Sequence, residues 1–256
     1  MAIAAPRDKG RVTTKPLRRA IATIADLALP PRCPGCGAVT REPHRFCARC
    51  WGSLRFLGPP WCAGCHAPFD YDRGEDALCG DCLAQPPRHA GIRAAVAYGE
   101  VARHVVLRLK YGGRTALAET VARPMARLLP EGVDLLIPVP LHRRRLWARG
   151  FNQAALIAAA VGRTRGVAVD PFALERRRAT PVLRGLGARQ RAVAVKGAFA
   201  VPEKRRDVLR GKRIALVDDV HTSGATAAAC TAALLRAGAA SVTILCWARV
   251  LDGEAD

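Results

Sequence analysis

Between residues 33 and 82 the chain carries four Cys-x-x-Cys pairs: Cys33/Cys36, Cys47/Cys50, Cys62/Cys65 and Cys79/Cys82. Two thiolates at this spacing on a tight knuckle point the same way, and two knuckles complete a tetrahedral zinc site. Gly35, Gly37, Gly64 and Gly80 lie in or beside the pairs and permit the turns. Eight ligands make two fully filled sites, so the zinc ions are structural rather than catalytic. Sequential pairing, Cys33/36/47/50 and Cys62/65/79/82, is the simplest arrangement, and crossed pairing satisfies the same spacing. Redox-active pairs and disulfides are the competing readings. Four copies with no thioredoxin-like βαβ unit around them speak against redox chemistry, and 10 Cys in 256 residues is far too thin for a disulfide-stapled miniprotein. His44, His66 and His89 lie close by, but neither site needs them, and they read as surface residues. Cys230 and Cys246 sit in apolar stretches and read as core thiols.

A zinc module of this size cannot account for the rest of the chain, whose 50% apolar content supports a core of its own. Disorder is excluded on the same ground, because high net charge unfolds a chain only when apolar content is low. No apolar run is long enough for a membrane span, so membrane insertion is not expected. The stretch Ala20–Leu29 contains Asp26 and lacks a cleavage-site pattern, so a short helix rather than a signal peptide, and a cytoplasmic protein, are expected. The net charge of +20 comes mostly from arginine and points to polyanionic partners, nucleic acid or phosphorylated small molecules. An arginine bias of composition alone gives the same excess.

Three zones follow: a basic segment 1–30 with a helix over Leu17–Leu29, a double zinc ribbon over 31–87, and an α/β domain over 88–256, with Pro86-Pro87 at the last boundary. In the third zone strands are expected at Ala94–Tyr98, Val133–Val139, Arg213–Val217 and Ser241–Ala248. Helices are expected at Val101–Lys110, Thr115–Leu129, Phe151–Val161 and Gly224–Ala237, the last ended by Gly238. Residues 176–196 are basic, lack a period and read as a long mobile loop. This alternation implies a mostly parallel sheet with flanking helices.

The segment Val217–Thr226 (VDDVHTSGAT) carries the sharpest functional signal. A buried strand ends in two adjacent acids, Asp218 and Asp219, and a turn of Thr222, Ser223 and Gly224 leads through Ala225 and Thr226 into a helix. Consecutive backbone N–H groups at a helix N-terminus, with hydroxyls adding donors, form a nest for a phosphate monoester. The acids would repel that phosphate but suit the hydroxyls of an attached ribose. No Walker A pattern is present. An ordinary helix cap explains the Thr and Ser, but not paired acids closing a buried strand.

This segment, the Cys-rich module, Ile137–Ala154 (IPVPLHRRRLWARGFNQA) and Leu107–Arg114 (LRLKYGGR) together resemble the ComF family, competence proteins and GntX-like type I phosphoribosyltransferases with an N-terminal double zinc ribbon. The resemblance implies a type I phosphoribosyltransferase-like α/β domain that binds phosphoribosyl pyrophosphate (PRPP). Asp218 and Asp219 would hold the ribose hydroxyls as catalytic residues, and Thr222, Ser223, Gly224, Ala225 and Thr226 the 5-phosphate. Val139, Pro140, Leu141, His142 and Arg143, after Pro138, match the pyrophosphate loop. Arg149–Gln153 is the signature after it, with Gly150 opening a helix. The sequence departs from the family in the basic loop, where Thr180-Pro181 is followed by Val182-Leu183 and Arg191 by Ala192-Val193-Ala194, leaving the acceptor unassigned.

Phosphoribosyl transfer needs positioning, Mg²⁺ beside the leaving diphosphate and exclusion of water. Mg²⁺ prefers phosphate oxygens and water, so it is expected with PRPP and without a protein cage. Arg176, Arg177, Arg178, Arg184, Arg189 and Arg191 could close over a diphosphate or form a solvated basic loop, and Arg143–Arg145 carry the same ambiguity. Lys110 reads as a phosphate contact or a helix C-cap. Two functions fit: a PRPP-dependent transferase, or a non-enzymatic protein binding PRPP or single-stranded DNA in DNA uptake with a helicase partner. Phe46, Trp51 and Trp61 lie by the knuckles, to stack on bases or to fill the ribbon core.

Overall fold

The computed structural model describes residues 30–179 and 188–251. The expected helix Leu17–Leu29 and the Thr180–Leu183 departure lie outside them. Four parallel strands form the main sheet in the order β1-β6-β5-β2: β1 Ile92–Ala97, β2 Leu135–Pro138, β5 Arg213–His221 and β6 Ser241–Arg249. They read as continuous apolar runs because both faces are covered. One face carries α3 (Glu100–Tyr111), α4 (Leu117–Leu128) and α6 (Gln153–Arg165), packed through Val105, Val121, Met125 and Ile157 onto Leu136, Val217 and Leu245. The other carries α9 (Ala225–Arg236), whose Cys230 and Leu234 meet Leu216, Ile244 and Cys246. Cys230 and Cys246 are fully buried, as expected of core thiols. The helices that follow the adjacent strands β2 and β5 thus leave on opposite faces, and the carboxyl ends of these strands open into a crevice, where open parallel sheets bind ligands.

Two expectations are corrected here. The stretch 176–196 is not one loop: Glu175–Arg176 (β3) pairs antiparallel with Phe199–Ala200 (β4), and Ala188–Val195 forms helix α7. The helix shows little amphipathic period because its residues are mostly small, and it is held from outside, by packing on α9 and by Arg178 Nη2, which donates to the carbonyls of Ala194 (3.3 Å) and Lys196 (2.7 Å). Gly150, expected to open a helix, instead closes the short helix α5 (Arg143–Arg149) at φ 80°, a left-handed C-cap. Asn152 caps α6, its Oδ1 accepting from Ala154 N–H at 3.0 Å.

The Cys-rich module straddles the β1 edge of the sheet. Residues 55–57 pair with it antiparallel: Leu57 N–H donates to Ala95 O (3.1 Å) and Ala97 N–H to Arg55 O (2.8 Å). The first zinc site, which includes helix α1 (Ala48–Gly52), brings Leu54 and Phe46 onto the α3/α4 face. The second, which includes α2 (Gly80–Ala84), contributes Cys62, Cys65 and Cys82 to the core on the α9 face. The open edge of β1 is thereby covered.

Candidate PRPP-type site and zinc centres

The cysteines assemble sequentially: Cys33/36/47/50 and Cys62/65/79/82 each bring four Sγ atoms within 4.8 Å of one another. The pairs Cys36–Cys47 (3.6 Å) and Cys65–Cys79 (3.7 Å) approach the sulfur separation of about 3.8 Å that a tetrahedral ion with 2.3 Å bonds imposes. The donor set therefore fits two structural Zn²⁺ ions, one per knuckle pair. Backbone N–H groups already favour thiolates: Cys47 N–H donates to Cys33 Sγ (3.3 Å) and Cys79 N–H to Cys62 Sγ (3.2 Å). Burial pushes both thiols up, but these donors and their neighbours outweigh it and bring Cys33 and Cys62 to about 6. The histidines are not ligands and are less exposed than expected of surface residues. His44 Nδ1 meets Thr120 Oγ1 at 3.0 Å, and His66 packs on Trp61.

At the crevice, β5 does not stop at Val217 but continues through both acids to His221, paired with β6 up to Arg249. Strand alternation sends the two carboxylates to opposite faces. Asp219, 4% exposed, turns toward α3, where Lys110 Nζ reaches its Oδ2 at 2.7 Å. Lys110 is therefore neither a bare cap nor a free phosphate contact. Burial lowers its pKa, but the Asp219 charge outweighs that and holds the ammonium above its ordinary range. Asp218 turns toward α9, on the side of Cys230 and Arg176. Burial first, and the Asp219 charge second, push its carboxyl well above the ordinary range. Its Oδ1 accepts from Asp219 N–H at 2.8 Å.

The turn after β5 exposes Thr222 and Ser223, and Gly224, which has no side chain to cap with, takes φ 73° to open α9. The first N–H groups of α9 therefore face the turn, and no side chain among the described residues accepts from them. Beside Thr222 and Ser223 lies a cavity of about 730 Å³, walled by His221 and Arg249 on the sheet and by Asp70 and Asp81 of the zinc module. Arg249, which no local motif marks, ties the second zinc site to the sheet by donating to Cys65 O (2.8 Å). Its place at the carboxyl end of a strand is the one signal that could have found it.

The expected diphosphate loop follows β2. Val139 N–H bonds Val217 O (2.9 Å), and Asn152 Nδ2 donates to Val139 O (3.1 Å), fixing the loop beside β5. Pro140 is buried, Leu141 and His142 are half-buried and Arg143 is exposed. His142 caps α5 by accepting from Arg144 N–H (3.4 Å), and Arg143 begins that helix. Arg149 lies over Tyr111 (5.3 Å to the ring centroid) and donates to Gln153, which brings the Arg149–Gln153 signature up to Lys110. Arg191 falls on α7, and its side chain lies outside the described residues. Among the basic-loop arginines, Arg177 pairs with Glu175 (2.6 Å), Arg178 holds α7, and Arg176 lies over Phe199 (5.2 Å to the centroid).

Comparison with known proteins bears on both halves. A double zinc ribbon domain family matches residues 24–83. The chain is 32% identical over 230 residues to the DNA utilization protein YhgH of Shigella flexneri, covering 86% of this chain and 90% of that one. It is 28% identical over 204 residues to competence protein F of Haemophilus influenzae, covering 76% and 86% of the two chains. Among solved structures, the glutamine PRPP amidotransferase of B. subtilis complexed with ADP and GMP aligns over 50% of this chain and 25% of its own, at 18% identity and a TM-score of 0.35.

Proposed function

The chain belongs to the ComF family, and from that premise we propose that its α/β domain is a PRPP-binding module of the phosphoribosyltransferase type. One observation carries this reading: the crevice strand carries two acids of divided labour near its carboxyl end, and a short turn leads from it to an open helix N-terminus. Asp219 is neutralised by Lys110, while the charge of Asp218, on the opposite face, is disfavoured by burial and by Asp219. A sugar phosphate satisfies both needs. Its phosphate takes the N–H groups and hydroxyls of Thr222–Thr226, and its hydroxyls donate to Asp218.

The Val139–Arg143 loop then meets the diphosphate, with backbone rather than side-chain groups nearest. Mg²⁺ fits as an ion held mostly by ligand oxygens and water, because Asp219 is already occupied by Lys110 and leaves Asp218 as the remaining carboxylate of the pair. When bound, Mg²⁺ offsets the charge of the leaving diphosphate. In the transfer the C1–O bond to diphosphate breaks, a bond from the acceptor's nitrogen or oxygen to C1 forms, and the acceptor's proton leaves to solvent. The protein's share is orientation and the exclusion of water. Calorimetry with PRPP and Mg²⁺ tests binding, and pyrophosphate release across a panel of nucleobases and amines tests transfer. Absence of PRPP binding overturns the reading.

A second reading, single-stranded DNA binding in DNA uptake alongside a helicase, is favoured by the +20 charge and by relatives named for DNA utilization and competence. Binding of this kind weakens steeply with salt, and a flat salt response overturns it. Among the described residues no helix is long and apolar enough to cross a membrane.

A further inference from the structure

We propose that the cavity between the first zinc site and α4 is a stacking site for unpaired bases of single-stranded nucleic acid; the proposal rests on the second reading above and gives it a location. The cavity holds about 560 Å³. The chain has only 6 Phe and 4 Trp, yet Phe46, Trp51, Phe56 and Trp247 all line this one cavity. They form a continuous series: Phe46 stacks on Trp247 (6.2 Å between centroids, 4° between planes), Trp51 lies 6.4 Å from Phe46, and Phe56 lies 4.7 Å from Trp51. Trp247 is buried and forms the floor, whereas Trp51 is 54% and Phe56 42% exposed. Packing alone does not call for a graded series that runs from core to solvent. A contiguous aromatic surface of this kind marks a binding site.

The rim selects the occupant. Arg123 and Arg127, one turn apart on α4, are exposed and line the cavity, and no ion pair engages either among the described residues. Arg45, also on the rim, is already neutralised by Glu42 (3.0 Å). Aromatic faces flanked by free guanidinium groups fit a polyanion with flat apolar units, and every base has such a face. A base inside a duplex is stacked on its neighbours and cannot enter, so the ligand is single-stranded. The polar floor is fixed by His44, held at φ 61° with its ring against the buried Thr120 (3.0 Å). A non-glycine residue in that region is strained, and such strain persists where the surrounding structure over-determines it.

The test uses the full chain and an oligothymidylate of about 20 nucleotides, longer than the roughly 4–16 that a small single-strand-binding fold covers. Binding quenches tryptophan fluorescence, and Trp51→Ala loses much of the quench and weakens affinity about tenfold or more. Trp51→Phe keeps most of it. Arg123→Ala with Arg127→Ala lowers the slope of log affinity against log salt by about 0.7 for each phosphate no longer neutralised. PRPP binding and zinc content, measured on the same variants, report whether they are folded. If the wild type binds the oligonucleotide and these variants bind it equally well, the inference fails while the second reading stands. If the wild type does not bind it, both fail. If Trp51→Ala instead changes only the sedimentation of the protein, the cavity is a contact between copies, and the proposal is overturned.

Discussion

Lys110 and Asp219 form a largely buried pair at 2.7 Å. Removing one partner of such a pair strands a charge, so Lys110→Met should destabilise the protein by about 3 kcal/mol in chemical denaturation. Lys110→Met with Asp219→Leu should recover most of that loss, because the uncompensated charge goes with it. Asp218 has a different part to play. Asp218→Asn should leave stability nearly unchanged and weaken PRPP about ten- to a hundredfold by calorimetry, since a hydrogen bond to a charged acceptor contributes roughly 1.5–3 kcal/mol. The raised pKa of Asp218 gives the pH signature. PRPP affinity should rise with pH as this carboxyl ionises, and Asp218→Asn should remove that component. Wild-type affinity in Asp218→Asn overturns the assignment.

The turn between β5 and α9 depends on Gly224. At φ 73° a side chain is strained, and its Cβ would lie 3.2 Å from the His221 ring. Gly224→Val should therefore cost more PRPP affinity than Thr226→Ala, which removes one hydroxyl and keeps the backbone donors. The order of the two is the measurement. Asn152 both caps α6 and tethers Val139, so Asn152→Ala should cost about 1 kcal/mol of stability through the cap, with a loss of PRPP affinity if the tether positions the diphosphate loop. An Asn152→Ala protein with unchanged affinity would remove that loop from the site.

The zinc module and the sheet share cores on both faces. Purified protein should carry about two zinc per chain, and chelation should lower the melting temperature of the α/β domain itself, not only that of residues 31–87. Cys62 is fully buried within the α9-face core, whereas no cysteine of the first site belongs to the other core among the described residues, which Phe46 and Leu54 meet instead. Cys62→Ser should therefore destabilise the whole protein more than Cys36→Ser, whose side chain is exposed. Acid acts on the same junction. Burial, with Arg93, Arg249 and neighbouring histidines contributing, lowers His66 and His89 to about 4 and His221 to about 3. An unfolded histidine titrates near 6.5, so below that value the unfolded chain binds more protons and stability falls as pH drops toward 4. Asp218 works in the opposite sense but is a single group. Denaturation midpoints should decline from pH 7 to 5, and His66→Gln with His89→Gln should flatten the decline.

Spacing alone determined the eight zinc ligands, because a metal site is written locally in Cys-x-x-Cys knuckles. The apolar runs determined the four buried strands, and the acids with Thr, Ser and Gly after them marked the crevice turn. Tertiary structure decided what those residues do. Whether Asp218 and Asp219 act alike depends on strand alternation and on Lys110, which is 109 positions away in the chain (110 against 219) and is brought there by α3. The helix in 188–195 has no period to reveal it, because its order comes from α9 and from Arg178 rather than from its own amphipathicity. The join between zinc module and sheet, through Phe46 on Trp247 and Arg249 on Cys65, pairs residues about two hundred positions apart. No local pattern encodes such contacts, since they exist only once the chain has folded.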